Sequence, residues 1–186
     1  ASGAVGRPGG WEIAYVRRGD EGAAVWLMDG DGADRRQVSA DVGAFGTLHW
    51  SPDGTALAWI RSAPVGEYGG EPGLRVVADG LGYRHLGDGY REGRLGQLFV
   101  MELADGVSRR LVEGPFDVRS LSWSPDSRRL AYAAKAEADL GLNLNEDLWV
   151  VGRDGGEPVQ LTTNPGIDRD PHWFADDRMA YLRTEN

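Results

Sequence analysis

Three histidines are the side chains best suited to proton transfer in this sequence, and none of them belongs to a recognisable catalytic motif. His49 and His172 each precede a tryptophan, and His85 lies in a glycine-rich stretch. A serine hydrolase would place its nucleophile in a Gly-x-Ser-x-Gly turn, and the sequence contains no such pattern. The absence of cysteine also excludes a cysteine nucleophile and a thiolate metal site. We therefore predict that this chain has no catalytic residues and needs no cofactor.

Two groups of aspartates are candidates for metal binding. The first is the stretch DGDGAD at 29–34, which looks like a calcium loop but lacks the oxygen ligand at its fifth place and the later glutamate. A hairpin turn is the favoured interpretation of this stretch. The second group lies near the end of the sequence and consists of Asp168, Asp170, Asp176 and Asp177. Because separate turns would have to bring these carboxylates together, we favour solvated turn residues and predict no metal site.

The charge and hydropathy of the chain exclude several classes of function. The 186 residues have a formal net charge of −9, with the acidic residues spread along the chain, whereas a nucleic-acid-binding surface needs clustered lysine and arginine. The apolar runs are far shorter than the ~20 residues needed to cross a bilayer. Residues 1–10 lack the basic start and apolar core of a signal peptide. These features predict a soluble cytoplasmic protein without nucleic-acid or membrane partners.

A short motif recurs along the chain and indicates which fold holds the histidines and aspartates in place. It consists of a tryptophan, a polar turn and an alanine-aromatic step. Three copies are complete: WSPDG at 50–54 with its aromatic residue at Trp59, WSPDS at 123–127 with Tyr132, and WFADD at 173–177 with Tyr181. A fourth copy keeps only the alanine-aromatic step, as IAY at 13–15. Proline presets the first corner of a tight turn, aspartate bonds to its own backbone and glycine accepts positive φ. Each motif therefore predicts a β-hairpin.

The spacing of the motifs predicts four strands per repeat. The aromatic ends at positions 15, 59, 132 and 181 are 44, 73 and 49 residues apart, and propeller repeats have about 40 to 50. Each interval between successive motifs contains two further β-rich runs, which makes three pairs of runs. They are VWLM at 25–28 with RQV at 36–38, LFVM at 98–101 with RLV at 110–112, and LWVV at 148–151 with VQL at 159–161. The long spacing implies an insertion at about residues 63–96.

The predicted fold is all-β, an incomplete β-propeller of four-stranded antiparallel blades. The chain would hold about three and a half to four blades: a first blade without its innermost strand, two complete blades, and a last blade that stops near Leu182. Residues 1–10 are predicted to be a flexible segment and residues 11–186 a single partial propeller. Since a blade buries its faces only against its neighbours, both ends should expose apolar faces, around Trp11, Trp26, Ala180 and Tyr181.

The two histidines that precede motif tryptophans have a predicted place in this fold. Alternation along a strand puts His49 and His172 on the face opposite the tryptophan. We favour packing or a strand hydrogen bond for both. Contact with a peptide in the central channel is the alternative.

Several segments resemble known propellers. The repeats resemble those of TolB-like and WD40-like proteins. A sharper resemblance comes from RVV at 75–77, YRHLGDGY at 83–90 and QLFVM at 97–101, which look like the propeller of the acylaminoacyl peptidase branch of the prolyl oligopeptidase (S9) family. The segments NEDLWVV at 145–151 and GGEPVQLT at 155–162 also match the style of that family.

The resemblance implies a function for the protein of which this propeller is part. S9 peptidases pair the propeller with an α/β-hydrolase domain, whose Ser-Asp-His triad removes residues from the N-termini of short peptides, and the propeller restricts access. Here that domain would lie outside the chain. Partners would be the hydrolase domain or remaining blades, short peptides, and a second copy through the open blade ends. The resemblance implies that five residues of the insertion could bind substrate, with Arg84 or Arg91 pairing with a peptide carboxylate: Tyr83, Arg84, Asp88, Tyr90 and Arg91. A solvated or locally self-paired loop is the favoured interpretation of this segment.

Two other interpretations remain open. One is a TolB-like protein-interaction propeller with no enzymatic role, which would be periplasmic or secreted. The other is a calcium-stabilised lectin-like or scaffold propeller. A hydrolase domain encoded downstream favours the peptidase, whereas an upstream secretion signal without such a domain favours the TolB-like protein.

Overall fold

The computed structural model describes residues 4–19, 22–39, 47–64, 84–85, 89–90, 94–114, 116–135, 145–175 and 177–184. Within these ranges the regular elements are β-strands. The first sheet contains β1 (Val5–Gly6), β2 (Glu12–Gly19), β3 (Gly22–Asp29) and β4 (Arg36–Gln37). The second contains β5 (His49–Trp50), β6 (Ala56–Pro64), β9 (Arg94–Glu102) and β10 (Ser108–Arg110). No helix in these ranges is long and apolar enough to span a membrane.

Two further sheets and a small hairpin complete the described structure. The third sheet contains β11 (Asp117–Trp123), β12 (Arg129–Lys135), β13 (Asp147–Gly152) and β14 (Gly155–Gln160). The fourth has two strands, β15 (Ile167–Ala175) and β16 (Arg178–Thr184). The hairpin pairs β7 (Arg84–His85) with β8 (Gly89–Tyr90). We call the four sheets blades 1 to 4. In each blade the strands follow one another in sequence order and pair antiparallel, as predicted for an incomplete propeller.

The Ser-Pro-Asp turns form the predicted hairpins between the first and second strands. In blade 2, the Ser51 hydroxyl accepts a hydrogen bond from Ala56 N at 2.9 Å and donates to Asp53 Oδ1 at 2.6 Å. Gly54 has φ of 69°, and Ser127 takes the same place in blade 3 with φ of 61°. Positive φ favours glycine, and short polar residues adopt it at smaller cost than branched ones.

The hydrophobic core consists of two clusters, each lying between consecutive blades. One joins the Ala14 and Val25 side of blade 1 to Trp59 of blade 2. The other joins the Ala58 side of blade 2 to Tyr132 of blade 3. We call these contacts joint 1–2 and joint 2–3, and the packing of blade 4 on blade 3 joint 3–4. Side chains alternate between the two faces of each strand, so one blade contributes to two joints.

Blade 1 differs from the prediction, because it does have an innermost strand. Val5 of β1 pairs with Ala14 of β2, although Val5 belongs to the segment 1–10 that is predicted to be flexible. The Trp50 indole donates to the Val5 carbonyl at 2.9 Å, which ties β1 to the neighbouring blade. Trp11 lies in the turn before β2 and is 87% exposed, so it is not part of a blade face. The domain boundaries remain predictions.

Candidate functional site

The residues predicted to bind substrate lie mainly outside the described ranges. Tyr83, Asp88 and Arg91 are not among the described residues. Arg84 and Tyr90 are in the β7–β8 hairpin, where they are opposite each other in register. A role for any of these five residues in peptide binding remains a prediction.

The insertion leaves and rejoins blade 2 at one point, and glycine is required there. Pro64 at the end of β6 pairs with Arg94 at the start of β9. Two residues further on, a Cβ on Gly96 would lie 2.3 Å from the carbonyl oxygen of Val118 in blade 3. This oxygen belongs to backbone, which cannot move aside like a flexible side chain. The absent side chain therefore lets blades 2 and 3 approach closely at the base of the insertion.

A buried carboxylate fastens this point to the inner strand of the next blade. Asp117, at the start of β11, is 4% exposed and accepts a hydrogen bond from Gly96 N at 2.9 Å. Its other oxygen accepts from Arg119 Nη2 at 2.7 Å. A buried carboxylate bonded on both oxygens is held in one orientation. We call this arrangement of Gly96, Asp117 and Arg119 the insertion base.

Next to the insertion base, a buried amide joins the third and fourth strands of blade 2. Gln97 Nε2 donates to the Phe116 carbonyl at 2.5 Å, and Gln97 Oε1 accepts from Arg110 Nε at 3.0 Å. Arg110 also donates to the Val112 carbonyl at 3.1 Å, and burial lowers the pKa of this arginine. These bonds hold the start of β9 in place beside the insertion.

Blade 3 places further carboxylates at the same end of the propeller, where residues 136–144 connect β12 to β13. Asp147 is 6% exposed and accepts from Asn145 Nδ2 at 2.9 Å. Burial raises the pKa of Asp147. Burial also raises the pKa of Glu146, against the opposing attraction of Arg119, Lys135 and Arg169.

Blade 4 adds an ion pair to this end of the propeller. The Asp168 carboxylate is fully buried and lies 2.9 Å from Arg183 Nε. Burial alone would raise the pKa of Asp168, but hydrogen bonds from Arg183 and Thr162 hold this pKa below its ordinary value. The backbone N–H of Asp168 donates to the Glu146 carbonyl at 2.8 Å, so blades 3 and 4 are linked here. The rim around the insertion base thus carries buried carboxylates that are bonded to neighbouring backbone, amide and arginine groups.

The two aspartate groups behave as turn and pairing residues. In the stretch at 29–34, Gly32 N donates to the Asp29 carbonyl at 2.8 Å, which is the predicted hairpin turn. Partial burial and the neighbouring Asp34 and Asp31 carboxylates raise the pKa of Asp29. Asp168 and Asp177 lie at opposite ends of the β15–β16 hairpin, and Asp176 is outside the described residues. Across the described ranges no group of three or more histidines and carboxylates is placed to hold a metal ion.

The two motif histidines have different environments. His49 is half-buried and burial lowers its pKa, while its carbonyl accepts the Trp123 indole at 3.1 Å. His172 is exposed. The bond at His49 involves its backbone carbonyl and comes from the tryptophan of the next blade, so the predicted role of the two histidine side chains remains a prediction. The environments differ because blade 3 follows blade 2, whereas no blade follows blade 4 among the described residues.

Sequence reasoning missed the residues that hold this site. Gly96 and Asp117 have no motif of their own, and their contact joins positions that are separated in the sequence by 21 residues. The sequence does contain one signal for a polar cluster near this point. QLFV at 97–100 aligns with DLWV at 147–150, so Gln97 and Asp147 take the same place in the third strands of blades 2 and 3, and both are buried.

Comparison with known proteins shows relatives among peptidases. The chain is 25% identical over 156 residues to the uncharacterized peptidase YuxL of Bacillus subtilis, covering 77% of this chain and 23% of that protein. It is 27% identical over 166 residues to dipeptidyl-peptidase 5 of Porphyromonas gingivalis, covering 83% of this chain and 20% of that protein. Both are S9 peptidases, so the predicted resemblance is confirmed. The chain spans about a fifth to a quarter of the length of these relatives.

Solved structures confirm the propeller fold. A TolB-like protein of Agrobacterium tumefaciens superposes with a TM-score of 0.63 at 19% identity, over 96% of this chain and 52% of that one. The acylaminoacyl peptidase of Pyrococcus horikoshii superposes with a TM-score of 0.55 at 16% identity, over 95% of this chain and 27% of that one. At such identities the likeness establishes the fold alone. No family model matches the sequence.

Proposed function

We propose that this chain is the propeller segment of an S9-type serine peptidase of the acylaminoacyl peptidase kind. In this proposal the chain contributes no catalytic residue, restricts peptide access to an α/β-hydrolase domain outside the chain, and docks that domain. The main support is the extent of the two alignments. Both relatives are peptidases, they align with most of this chain, and the chain accounts for only 23% and 20% of their length.

The structure of the insertion base supports a role in controlling access. The first strands of the blades lie side by side, β1 next to β5, β5 next to β11 and β11 next to β15, and a propeller of this kind surrounds a channel. The insertion rejoins the fold beside β11, one of these inner strands. A long loop on a rigid scaffold is a common place for binding residues. In the proposal, the insertion borders the channel and contacts peptides through the five predicted residues, with Arg84 or Arg91 pairing with a carboxylate.

The first experiment tests for the hydrolase partner. The purified 186-residue chain and the protein encoded by its complete reading frame are each treated with a fluorophosphonate probe, which labels activated serines. We expect labelling of the complete protein and none of the chain alone. Labelling of the chain alone contradicts the proposal, as does a complete protein that is neither labelled nor active on N-acylated peptides.

The second experiment tests the control of access, using acylated peptides of increasing length and the complete protein. Asp117→Ala loosens the insertion base, so we expect hydrolysis of long peptides to rise while hydrolysis of an acylated dipeptide stays unchanged. Asp154→Ala, at a fully exposed aspartate of the β13–β14 turn, serves as the matched control. Melting temperatures of both variants establish that they are folded. An unchanged length limit in folded Asp117→Ala contradicts gating at this base.

A TolB-like interaction propeller is the second candidate. The superposition on the Agrobacterium protein covers 96% of this chain. It therefore supports a TolB-like propeller as well as a peptidase propeller. A reading frame with a secretion signal, no hydrolase domain and no probe labelling would support this candidate instead.

A further inference from the structure

Aspartate followed by glycine is a reactive pair, and the sequence contains seven such pairs, of which five lie wholly within the described residues. The glycine N attacks the aspartate Cγ, and the absence of a Cβ on glycine leaves this N accessible. The carboxyl hydroxyl and the amide proton leave as water, and a succinimide ring forms. Water then opens the ring. Opening at the former backbone carbonyl gives isoaspartate, whose main chain runs through Cβ and Cγ.

Three of the five pairs are restrained by hydrogen bonds within their turns. In each, the aspartate Oδ1 accepts a hydrogen bond at 2.9 Å from the backbone N–H two residues further on: Asp31, Asp53 and Asp105. The N–H of the following glycine donates within the same turn, at 2.8 Å for Gly32 and 2.9 Å for Gly54. Both reacting groups are therefore occupied, and these bonds must break before the ring can form.

The pair Asp29–Gly30 is restrained by packing. Asp29 is half-buried, and its carboxyl group lies beside that of Asp34. A Cβ on Gly30 would lie 3.2 Å from the carbonyl oxygen of Trp11. The backbone of this pair therefore has little room to rearrange.

The pair Asp154–Gly155, in the β13–β14 turn, lacks these restraints on its carboxylate. The Asp154 side chain is 98% exposed, and Arg109 Nη2 lies 3.5 Å from its Oδ1. In the described part of the chain no backbone N–H donates to this carboxylate. The residue two positions further on is Gly156, where a Cβ would meet no atom within 4 Å. Side chains therefore do not crowd this turn.

From this contrast we propose that Asp154 is a site of spontaneous isoaspartate formation and reacts fastest of the five described pairs. The chemistry is the same at each pair, and the difference comes from the restraint on the aspartate carboxylate. Because a hydrogen bond to a charged group is among the stronger ones in a protein, releasing it should slow the reaction about tenfold or more.

The modification has a structural consequence, because Asp154 directly follows Arg153. The Arg153 guanidinium bonds to Asp53 Oδ2 at 2.8 Å and to Glu102 Oε1 at 2.9 Å, across joint 2–3. Its backbone N–H donates to the Arg128 carbonyl at 2.8 Å. Isoaspartate adds one methylene to the main chain at the next residue, so it would shift Arg153 relative to blade 2. The modified chain should have a weaker joint 2–3.

The experiment measures isoaspartate at each pair in the folded 186-residue chain. The chain is kept in mildly acidic buffer at physiological temperature and digested with chymotrypsin, and isoaspartate is located by electron-transfer fragmentation in a mass spectrometer. We expect formation at Asp154 to be about tenfold or more faster than at Asp53 and Asp105. The same incubation in urea removes the turns, so the rates should become similar. An equal or slower rate at Asp154 in the folded chain overturns the proposal, as does a difference that persists in urea.

A second measurement tests the consequence for the joint. Each protein is unfolded in urea before and after the incubation, and each aged sample is compared with its own fresh sample. The aged parent should unfold at a lower urea concentration, whereas Asp154→Ala, which cannot form the ring, should not change. Asp105→Ala keeps Asp154 and should age like the parent. Equal ageing of the parent and Asp154→Ala would show that the modification does not weaken joint 2–3.

Discussion

Joints 2–3 and 3–4 begin with the same motif tryptophan but are bonded differently. At joint 2–3, Trp123 Nε1 donates to the His49 carbonyl at 3.1 Å. The Asp53 N–H donates to Ser127 Oγ at 2.9 Å, so the two Ser-Pro-Asp turns are joined directly. At joint 3–4, the Trp173 indole N–H is buried and has no hydrogen-bond partner among the described residues.

An arginine from the β13–β14 turn adds to the difference. Arg153 donates to Asp53 Oδ2 at 2.8 Å and to Glu102 Oε1 at 2.9 Å, and its Nη2 donates to Thr55 Oγ1 at 2.6 Å. Its guanidinium lies 5.7 Å from the Trp123 ring centroid. Asp53, Glu102 and Thr55 all belong to blade 2, so one side chain of blade 3 clamps the joint.

Joint 3–4 is fastened by backbone hydrogen bonds at the end that carries Glu146 and Asp168, but its polar contacts near the motif tryptophan are weaker. Two serines of β11 accept backbone hydrogen bonds from β15, Ser120 from Asp170 N at 3.0 Å and Ser122 from Trp173 N at 3.4 Å. Arg129 lies 3.5 Å from the largely exposed Asp177 carboxylate. The comparison teaches that the motif tryptophan alone does not secure a joint. At joint 2–3 the tryptophan is accompanied by the Ser127 contact and by the clamp from the β13–β14 turn, and blade 4 has no counterpart of that turn in the described part of the chain.

The largest expected effect is loss of the clamp. Arg153→Ala removes the nearer of two arginines from the partly buried Glu102, since Arg109 lies at 3.5 Å, and it also removes the bonds to Asp53 and Thr55. It should lower the free energy of unfolding by roughly 3 kcal/mol. Urea unfolding followed by tryptophan fluorescence measures this change. Arg178→Ala is the control, because Arg178 is exposed at the start of β16, and this variant should lose less than about 0.5 kcal/mol. Equal losses in the two variants would show that the clamp does not stabilise joint 2–3.

A smaller effect is expected when Trp123 or Trp173 is replaced, and it should differ between the two positions. Phenylalanine removes the indole N–H from either joint while keeping an aromatic ring. Trp123→Phe breaks the hydrogen bond to His49, whereas Trp173→Phe removes a buried donor that has no acceptor. We expect Trp123→Phe to cost about 1 kcal/mol more than Trp173→Phe in unfolding free energy. A larger loss for Trp173→Phe would contradict the difference between the joints.

The smallest expected effect is the loss of unfolding free energy at low pH that comes from Asp53. Partial burial would raise the pKa of Asp53, but hydrogen bonds from Ser51, Thr55 and Arg153 hold this pKa well below its ordinary value. A carboxyl with a lowered pKa in the folded state stabilises the fold above about pH 4, and this stability is lost as the pH falls below that value. Because Asp53 is partly exposed, we expect about 1 kcal/mol.

Asp53→Asn tests this expectation. Unfolding curves between about pH 7 and pH 2 should show a lower stability than the parent at neutral pH and a shallower decline in acid. An Asp53→Asn protein whose stability falls as steeply as that of the parent would assign the acid sensitivity to other carboxyls.

Much of the fold could be predicted because it depends on local chemistry. The turn at Ser51–Gly54 is closed by hydrogen bonds between residues two to five apart, so its sequence signature is complete in itself. The third strands were recognisable from short runs such as LFVM and LWVV. The first strand of blade 1 was missed for the opposite reason. Val5–Gly6 has only two residues, and part of what holds it is the Trp50 indole 45 positions away.

Less of the candidate site could be predicted, since it is built from contacts between blades. The position of the insertion followed from the spacing of the repeats, but the contact of Gly96 with Asp117 did not, because nothing local distinguishes this glycine from the other 27. The binding role assigned to Tyr83, Arg84, Asp88, Tyr90 and Arg91 came from resemblance and stays a prediction.

The sequence by itself determined the repeat, the hairpins and the likeness to S9 propellers, because these depend on residue order and on turn chemistry within a few positions. Only the tertiary structure decided how the blades are joined. Arg153 is one of twenty basic residues in the sequence, and its partner Asp53 is 100 positions away. Hydrogen bonds need partners within about 3 Å, and that proximity arises only when consecutive blades pack face to face.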